Sequence, residues 1–311
     1  MKKIKLSPFV HKVKGKTNWL LADCLNGRIF QIAPEGDAEE LKKQLVDNDL
    51  AFETEGVLPL KFQVSLKKYT ENFMVRELQI RLTGVCEENC ENCGQICACT
   101  KGNGDISAEV LSQIIEQFKF IPIERVLITG GNPFAKWDMI KKIKEEIAAT
   151  TYAVLFLGQV EEKWQKCLED TGINLIATTN VALKVTLEKM TTDPFSFFYN
   201  QEFNPCWGNK IAIDLEGNIK PCLWWHKSLG NIKTNQIKSM IASGDFDIYW
   251  TLKKDNIETC NVCEYRYNCF DCRVSVANEN LALNAKLPCC QYDPISGIWN
   301  LQERQTNCPI G

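Results

Sequence analysis

The chain has 311 residues, its formal net charge at pH 7 is −3, and sixteen of its residues are cysteines. A charge this close to balance favours neither a nucleic-acid nor a membrane partner, and no apolar run approaches the length of a membrane span. The basic first residues lack the apolar stretch and cleavage site of a signal peptide. We therefore expect a cytoplasmic protein whose cysteines serve metal or redox chemistry instead of disulfides.

The N-terminal region, residues 1–70, predicts a small α+β module. Asn26 and Gly27 separate two strand-like runs, and this dipeptide is typical of a type I′ turn in a β-hairpin. A helix with leucines four residues apart and a further strand are expected downstream of the hairpin. The four expected elements cover 19–25, 28–33, 38–47 and 57–64.

Three cysteines follow a strand expected over 75–83. Cys86, Cys90 and Cys93 have the spacing C-x3-C-x2-C. A closed structural zinc site would use four side chains, whereas a cubane iron–sulfur cluster held by three cysteines keeps one iron open. An open iron can bind a substrate, so the spacing favours a reactive [4Fe–4S] cluster over a structural metal ion.

This loop resembles the cluster loop of radical SAM enzymes. The resemblance implies that the three cysteines are catalytic and that the open iron binds the amino and carboxylate groups of S-adenosylmethionine (SAM). One position departs from the family, since Asn92 precedes the third cysteine where an aromatic residue is usual. Cys97 and Cys99 follow the motif. They are substrate-handling thiols, an alternative fourth ligand or inert residues, and the sequence leaves these alternatives open.

A Gly-Gly turn after the next expected strand, 124–129, adds to the resemblance. It is similar to the Gly-Gly-Glu-Pro motif, whose backbone carbonyls bind the methionine amine of SAM, with asparagine in place of glutamate. Glycine suits such a site because it has no Cβ to keep a ligand away from the backbone. The implied cofactor-binding residues are Gly130, Gly131, Asn132 and Pro133.

Strands and helices alternate over 78–178, the pattern of an α/β domain with a parallel sheet. Ser107 stands at an expected N-cap before an amphipathic helix. The chain has fewer βα units than a radical SAM core usually has. A strand-like run over 181–187 follows Thr178 after two residues, too few for a parallel crossover, so the two runs form a hairpin or one is not a strand. We expect a shortened, open βα barrel.

Most of the remaining cysteines lie after residue 205, at spacings that resemble the SPASM domain, the auxiliary-cluster module of radical SAM enzymes. The family pattern has two cysteines around a glycine, then a block of four cysteines and a last cysteine, and one gap is a residue shorter here. A hairpin over 210–220 would position the second cysteine. The cysteines concerned are Cys206, Cys222, Cys260, Cys263, Cys269, Cys272, Cys289, Cys290 and Cys308.

The resemblance implies two auxiliary [4Fe–4S] clusters. The first would be held by Cys206, Cys222 and Cys272. It would be completed by Cys308 or by the spare member of the Cys289–Cys290 pair, or it would stay open to substrate. The second would be held by Cys260, Cys263 and Cys269 with either Cys289 or Cys290. Zinc is the competing metal for such C-x2-C blocks.

These features predict an α/β fold in three parts: the N-terminal module over 1–70, a shortened radical SAM core over 75–200 and a SPASM-like domain over 201–311. The N-terminal module resembles a leader-peptide recognition module, which binds its leader as an added edge strand. A scaffold extension of the barrel is the equal alternative.

The nearest group is the radical SAM/SPASM peptide maturases, with a looser resemblance to small bacterial members paired with glycine-glycine-leader peptides. The resemblance implies hydrogen abstraction from a precursor peptide with a leader, giving a cross-link, an epimer or an oxidised residue. The electron donor would be a flavodoxin or ferredoxin. Two alternatives stay open: a non-catalytic iron–sulfur or zinc pseudo-enzyme that presents a peptide to a partner, and a cysteine or serine oxidase of the sulfatase-maturase type.

Overall fold

A computed structural model describes residues 3–34, 37–86, 104–156, 158–176, 190, 192–278 and 280–300. The described β-strands are β1 (Lys3–Leu6), β2 (Val10–Lys14), β3 (Trp19–Asp23), β4 (Arg28–Ile32), β5 (Ala51–Thr54), β6 (Val75–Arg81), β7 (Ile123–Thr129), β8 (Ala149–Leu155), β9 (Asn174–Ile176), β10 (Lys210–Ile213), β11 (Asn218–Lys220), β12 (Gly230–Asn231), β13 (Tyr292–Asp293) and β14 (Ile298–Trp299). The α-helices are α1 (Ala38–Asp47), α2 (Lys67–Thr70), α3 (Ala108–Phe118), α4 (Trp137–Glu146), α5 (Glu162–Thr171), α6 (Pro194–Glu202), α7 (Ile237–Ser243), α8 (Asp247–Trp250) and α9 (Arg273–Asn278). None of these helices is long and apolar enough to cross a membrane.

The main sheet has the strand order β12-β11-β10-β6-β7-β8-β9. The five strands from β10 to β9 run parallel, and β11 and β12 add antiparallel strands at one edge. The predicted α/β class with a parallel sheet is therefore confirmed. The predicted hairpin over 210–220 is also confirmed, as β10 and β11, and its first strand continues the sheet beside β6.

One face of this sheet carries the apolar core. Leu78 and Ile80 of β6 and Val126 of β7 are fully buried there against apolar residues of α3 and α4. Helix α3 begins where predicted, because the Ser107 side chain accepts a hydrogen bond from the Val110 backbone N–H and so satisfies one free donor of the first turn.

The opposite face of β6 is polar. Side chains alternate between the two faces of a strand, so Glu77, Gln79 and Arg81 all lie on the face that the helices do not cover. Glu77 and Gln79 are nevertheless buried, which means that another part of the chain covers them. The described part of the sheet ends at β9, and the run predicted over 181–187 lies outside the described residues.

The N-terminal module contains a three-stranded sheet, β2-β3-β4, and a two-stranded ribbon of β1 and β5. The predicted hairpin and the predicted helix are confirmed as β3–β4 and α1. The type I′ turn is wrong: Asp23 pairs with Arg28, so the loop has four residues, and only Gly27 within it has positive φ. The Asp23 carboxylate stabilises this longer loop by accepting hydrogen bonds from the Leu25 and Asn26 backbone N–H groups.

The strand predicted over 57–64 is also wrong. That stretch has no regular structure, and Val57 and Leu60 are 97% and 94% exposed. The strand is instead β5, which pairs antiparallel with β1 from the start of the chain. No described strand pairs with 57–64, and cross-strand pairs are what stabilise a strand.

The three-stranded sheet packs on the cysteine-rich region. Lys16 N–H donates to the Val262 carbonyl at 2.8 Å, and Gln31 Nε2 donates to Glu264 Oε1 at 2.8 Å. Leu20 of β3 belongs to the apolar core that also contains several of the C-terminal cysteines. The N-terminal module therefore forms one wall of that region.

Candidate active site

The cluster loop and the Gly-Gly turn begin at the same edge of the main sheet. They follow β6 and β7, and neighbouring parallel strands end at the same edge. Gly131 N–H donates to the Thr83 carbonyl and Asn132 N–H donates to the Val85 carbonyl, each at 2.8 Å. Cys86, the first cluster cysteine, directly follows Val85 and is partly buried.

Both glycines are required by this contact. A Cβ at Gly131 would lie 2.1 Å from the Val85 carbonyl oxygen and 2.9 Å from Cys86 Cβ, and one at Gly130 would lie 2.6 Å from the Thr83 carbonyl oxygen. The side-chain-free backbone therefore serves the close approach of two loops as well as the approach of a ligand. Cys90, Cys93, Cys97 and Cys99 lie outside the described residues.

The other two residues of the turn have local roles. Asn132 Oδ1 accepts a hydrogen bond from Phe134 N–H at 3.1 Å and begins a short 3-10 helix, Pro133–Lys136. Pro133 occupies the first position of that helix, where a missing N–H costs nothing. This capping explains why asparagine suits the place where the family motif has glutamate.

Arg81 is a further candidate site residue, which the cysteine and glycine motifs do not predict. It lies opposite Thr129 in the sheet register, on the polar face and five residues before Cys86. Among the residues that the structure describes, its buried Nη2 has no hydrogen-bond partner. A guanidinium binds a carboxylate through two parallel hydrogen bonds, so this group could receive a carboxylate beside the cluster loop. The alternation of Glu77, Gln79 and Arg81 along the strand is the sequence feature that places Arg81 on the polar face.

Four C-terminal cysteines line one small cavity with mainly apolar walls. Of the predicted second set, Cys260, Cys263 and Cys269 are brought together, and Cys290 is the member of the 289–290 pair that lines the same cavity. Cys289 is buried in the surrounding core and is not among the lining residues. Throughout the described ranges, no three His, Cys, Asp or Glu side chains are grouped closely enough to hold a single metal ion.

Four cysteines around one cavity are the arrangement that a fully ligated cubane cluster needs, because each of its four irons then binds one cysteine. Burial raises the pKa of the Cys269 thiol to about 12, with Lys254 opposing and the Cys290 and Cys260 thiols adding to the rise. Bound iron would reverse this balance, since a metal cation favours the thiolate. The four residues therefore fit an iron–sulfur cluster.

The first predicted set also comes together. Cys206 follows α6, Cys222 follows β11 and Cys272 precedes α9. Burial raises the pKa of Cys222 to about 12, and the Cys206 and Cys272 thiols are close enough to raise it further while Lys210 lowers it. Cys308, a candidate fourth ligand, lies outside the described residues.

A buried charge network lies beside this first set. Glu77 is flanked in the register by Lys210 and Arg125, and its carboxylate pairs with both. Burial alone would raise the pKa of Glu77, but Lys210, Arg125 and Arg76 hold it at about 2. Glu77 is therefore an anion at neutral pH, and the network is ionised.

The segment that follows Cys222 covers the polar face of the sheet. Leu223 N–H donates to Gln79 Oε1 at 3.1 Å, and Trp224 packs against Leu127, Ala153 and Leu155. These three residues belong to β7 and β8 and lie on the same face as Gln79. The first auxiliary cysteine set and the inner face of the sheet therefore share a wall.

Two family models match the chain. One, described as a 4Fe-4S single cluster domain, matches residues 77–202, and the other, the SPASM iron-sulfur cluster-binding domain, matches residues 206–264. Together they cover more than half of the chain. The chain therefore contains a 4Fe-4S cluster domain followed by a SPASM iron–sulfur domain. The iron–sulfur and SPASM domains predicted from the cysteine spacing are thus confirmed, and with them the [4Fe–4S] cofactor.

No curated protein matches this chain. Among solved structures, Streptococcus suis SuiB bound to SAM is 12% identical with a TM-score of 0.45, over 92% of this chain and 100% of that one. SuiB bound to its precursor peptide SuiA is 12% identical with a TM-score of 0.43, over 93% and 100%. Histidine-tagged anSMEcpe with bound AdoMet is 10% identical with a TM-score of 0.46, over 68% and 89%.

Proposed function

We propose that this chain is a radical SAM enzyme that takes a hydrogen atom from a ribosomally made peptide to install a cross-link, an epimer or an oxidised residue. The observation that carries the proposal is the backbone contact between the loop of Cys86 and the turn of Gly130 and Gly131, at the carboxyl ends of parallel strands. When bound, the [4Fe–4S] cluster and SAM supply a 5′-deoxyadenosyl radical at this edge.

The residues of this edge have distinct tasks. Cys86, with Cys90 and Cys93, would hold the cluster. The backbone of the Gly130-Gly131 turn would bind the methionine amine of SAM, with Asn132 and Pro133 fixing the turn. The Arg81 guanidinium would bind a carboxylate, since its buried Nη2 has no hydrogen-bond partner in the described part of the chain.

The carboxyl ends of the parallel strands would hold the reacting part of the peptide. Trp224 and the segment after Cys222 occupy the polar face around Gln79, so a peptide bound at the strand ends would lie beside this segment and the first auxiliary cluster. Enclosure of this kind excludes water and holds the target carbon close to the radical. A flavodoxin or ferredoxin would supply the electrons.

The N-terminal module would bind the leader. The outer strands β2 and β4 of its sheet, and both strands of the β1–β5 ribbon, have no further strand partner within the described ranges. A groove between α1 and the ribbon has apolar walls from Ile4, Leu6 and Leu45 and charged residues at its rim. An edge strand beside apolar pockets is what β-augmentation by a peptide uses.

The first test is SAM cleavage by anaerobically reconstituted protein with a strong reductant. Release of 5′-deoxyadenosine is expected, and Cys90→Ala should abolish it. A matched control is Cys167→Ala, because Cys167 is a partly exposed thiol on α5 outside the cysteine sets. If fully reconstituted protein releases no 5′-deoxyadenosine above background, the chain is the non-catalytic, peptide-presenting alternative.

The second test is mass spectrometry of candidate precursor peptides after the reaction. Loss of two hydrogens indicates a cross-link or an oxidation, and unchanged mass with deuterium uptake from solvent indicates an epimer. Deleting residues 1–70 would remove a wall of the auxiliary region as well as the groove, so point substitutions are the better probe of leader binding. Ile4→Asp puts a charge on the groove wall, and Ile4 is not part of the apolar core that Leu45 helps to form.

A further inference from the structure

Each auxiliary cysteine set has a buried lysine beside it. Lys210 Nζ lies 3.7 Å from Cys206 Sγ, within hydrogen-bonding distance of a sulfur acceptor. Lys254 lines the cavity shared by Cys260, Cys263 and Cys269. The two lysines are 7% and 1% exposed, although lysine is almost never fully buried without a partner.

Each lysine is held by a buried carboxylate that has other cations to satisfy. Lys210 Nζ lies 3.2 Å from Glu77 Oε1, and the same carboxylate pairs with Arg125. Lys254 Nζ lies 3.0 Å from Asp271 Oδ1. A second buried cation, Arg273, pairs with that same oxygen.

Both networks contain more cations than carboxylates. The surplus is fully buried at Asp271, where Lys254 and Arg273 share one carboxylate, whereas Arg125 beside Glu77 is 47% exposed and reaches solvent. A surplus buried cation is costly unless an anion compensates it. After Glu77 and Asp271, the thiolates of a bound cluster would be the anions beside Lys210 and Lys254, so the excess positive charge faces the two cysteine sets.

A hydrogen-bond chain joins the two networks. Lys254 donates to one oxygen of Asp271, and the other oxygen accepts from Asn204 Nδ2 at 2.8 Å. Asn204 Oδ1 in turn accepts from the Cys206 backbone N–H at 2.9 Å. Asp271 also stands directly before Cys272. The carboxylate that orients Lys254 at the second set thus also fixes the backbone of the first.

We propose that Lys210 and Lys254 are positioning residues that set the reduction potentials of the two auxiliary clusters, one lysine for each cluster. This inference rests on the auxiliary clusters of the proposed function. Reduction adds negative charge to a cluster, and a nearby ammonium stabilises that charge. Lys210 acts on the cluster of the first set, Cys206, Cys222 and Cys272. Lys254 acts on the cluster of the second set, Cys260, Cys263, Cys269 and Cys290.

The test is a redox titration followed by electron paramagnetic resonance. Full-length protein with Cys86, Cys90 and Cys93 changed to alanine keeps only the auxiliary clusters. Lys210→Met should lower the potential of one cluster, and Lys254→Met that of the other. Each shift should be at least tenfold in the reduction equilibrium, or about 59 mV for one electron. Lys210→Arg and Lys254→Arg, which keep the charge, should largely restore both values.

A substitution of opposite sign separates charge from structure. Glu77→Gln removes a negative charge beside Lys210 and should raise the potential that Lys210→Met lowers. It also serves if Lys210→Met fails to fold. Three results would overturn the proposal: unchanged reduction potentials, a shift in the same direction in Lys210→Met and Glu77→Gln, or an equal shift of both clusters in any one variant. Iron and sulfide counts separate the two failures: absent clusters refute the proposed function, whereas full clusters with unmoved potentials refute only the role of the lysines.

Discussion

Replacing Gly131 with alanine should separate the Gly-Gly turn from the cluster loop. The added Cβ would lie 2.1 Å from the Val85 carbonyl oxygen, where real Cβ atoms essentially never come closer than 3.0 Å, and the obstacle is backbone. The two loops must then move apart by about 1 Å, because a close-packed interior cannot absorb the overlap. Such a shift breaks the Gly131–Thr83 and Asn132–Val85 hydrogen bonds, worth about 1 kcal/mol each.

Overpacking adds about 1–3 kcal/mol, so Gly131→Ala should destabilise the protein by about 3–5 kcal/mol in all. The effect on catalysis should be larger, since misplacing reacting groups by about 1 Å can cost roughly 100-fold in rate. We would measure the urea unfolding midpoint, iron per chain and the rate of 5′-deoxyadenosine release.

The matched control is Gly172→Ala at the end of α5. Gly172 also has a structural task, with φ +63, but a Cβ there meets nothing within 4 Å. Alanine should cost about 1–2 kcal/mol through left-handed strain, with the rate of SAM cleavage unchanged. If Gly131→Ala kept wild-type stability and rate, the contact between the two loops would not position the site, and the reasoning would fail.

Three further predictions concern the site and the groove. Arg81→Met should weaken SAM or peptide binding by about 10- to 100-fold, the loss expected for a charge-assisted hydrogen bond, without lowering iron content, and a wild-type KM for both would contradict this. Cys290→Ser should remove one cluster, seen as the loss of its iron and sulfide, whereas Cys289→Ser should keep that cluster; the reverse pattern would exchange their roles. Ile4→Asp should weaken leader binding in a fluorescence titration while leader-free SAM cleavage persists, and unchanged affinity would exclude the groove.

The elements that local pattern decides were predictable. Helix α3 has an N-cap serine and an apolar stripe of period 3.6, and both lie within one short stretch. The strand predicted over 57–64 failed for the opposite reason. Its apolar residues fit a strand, but the stretch that forms one is β5, whose partner β1 lies at the far end of the module. Pairing with a distant segment decided which stretch forms the strand, and a local sequence pattern does not predict such pairing.

Cysteine spacing located the thiols but could not locate their charged neighbours. Lys210 and Lys254 resemble any of the surface lysines of the chain, since burial depends on which segments pack over them. The Glu77-Gln79-Arg81 alternation predicts a polar face turned to solvent. That face is buried because the segment after Cys222 packs over it. This is a tertiary contact between distant segments, which the local sequence pattern does not predict.

The placement of the first auxiliary set follows from one strand pairing. Strand β10 joins β6 in parallel with Lys210 opposite Glu77, and Cys206 precedes Lys210 by four residues. A slip of one residue would turn Lys210 to the apolar face, because side chains alternate with a period of two. The Lys210–Glu77 ion pair and the hydrogen bonds of Arg76 to the Pro205 and Cys206 carbonyls both favour the observed register. The charges that we assign to the cluster potential therefore also hold the cluster-binding segment against the sheet whose strand ends would hold the substrate.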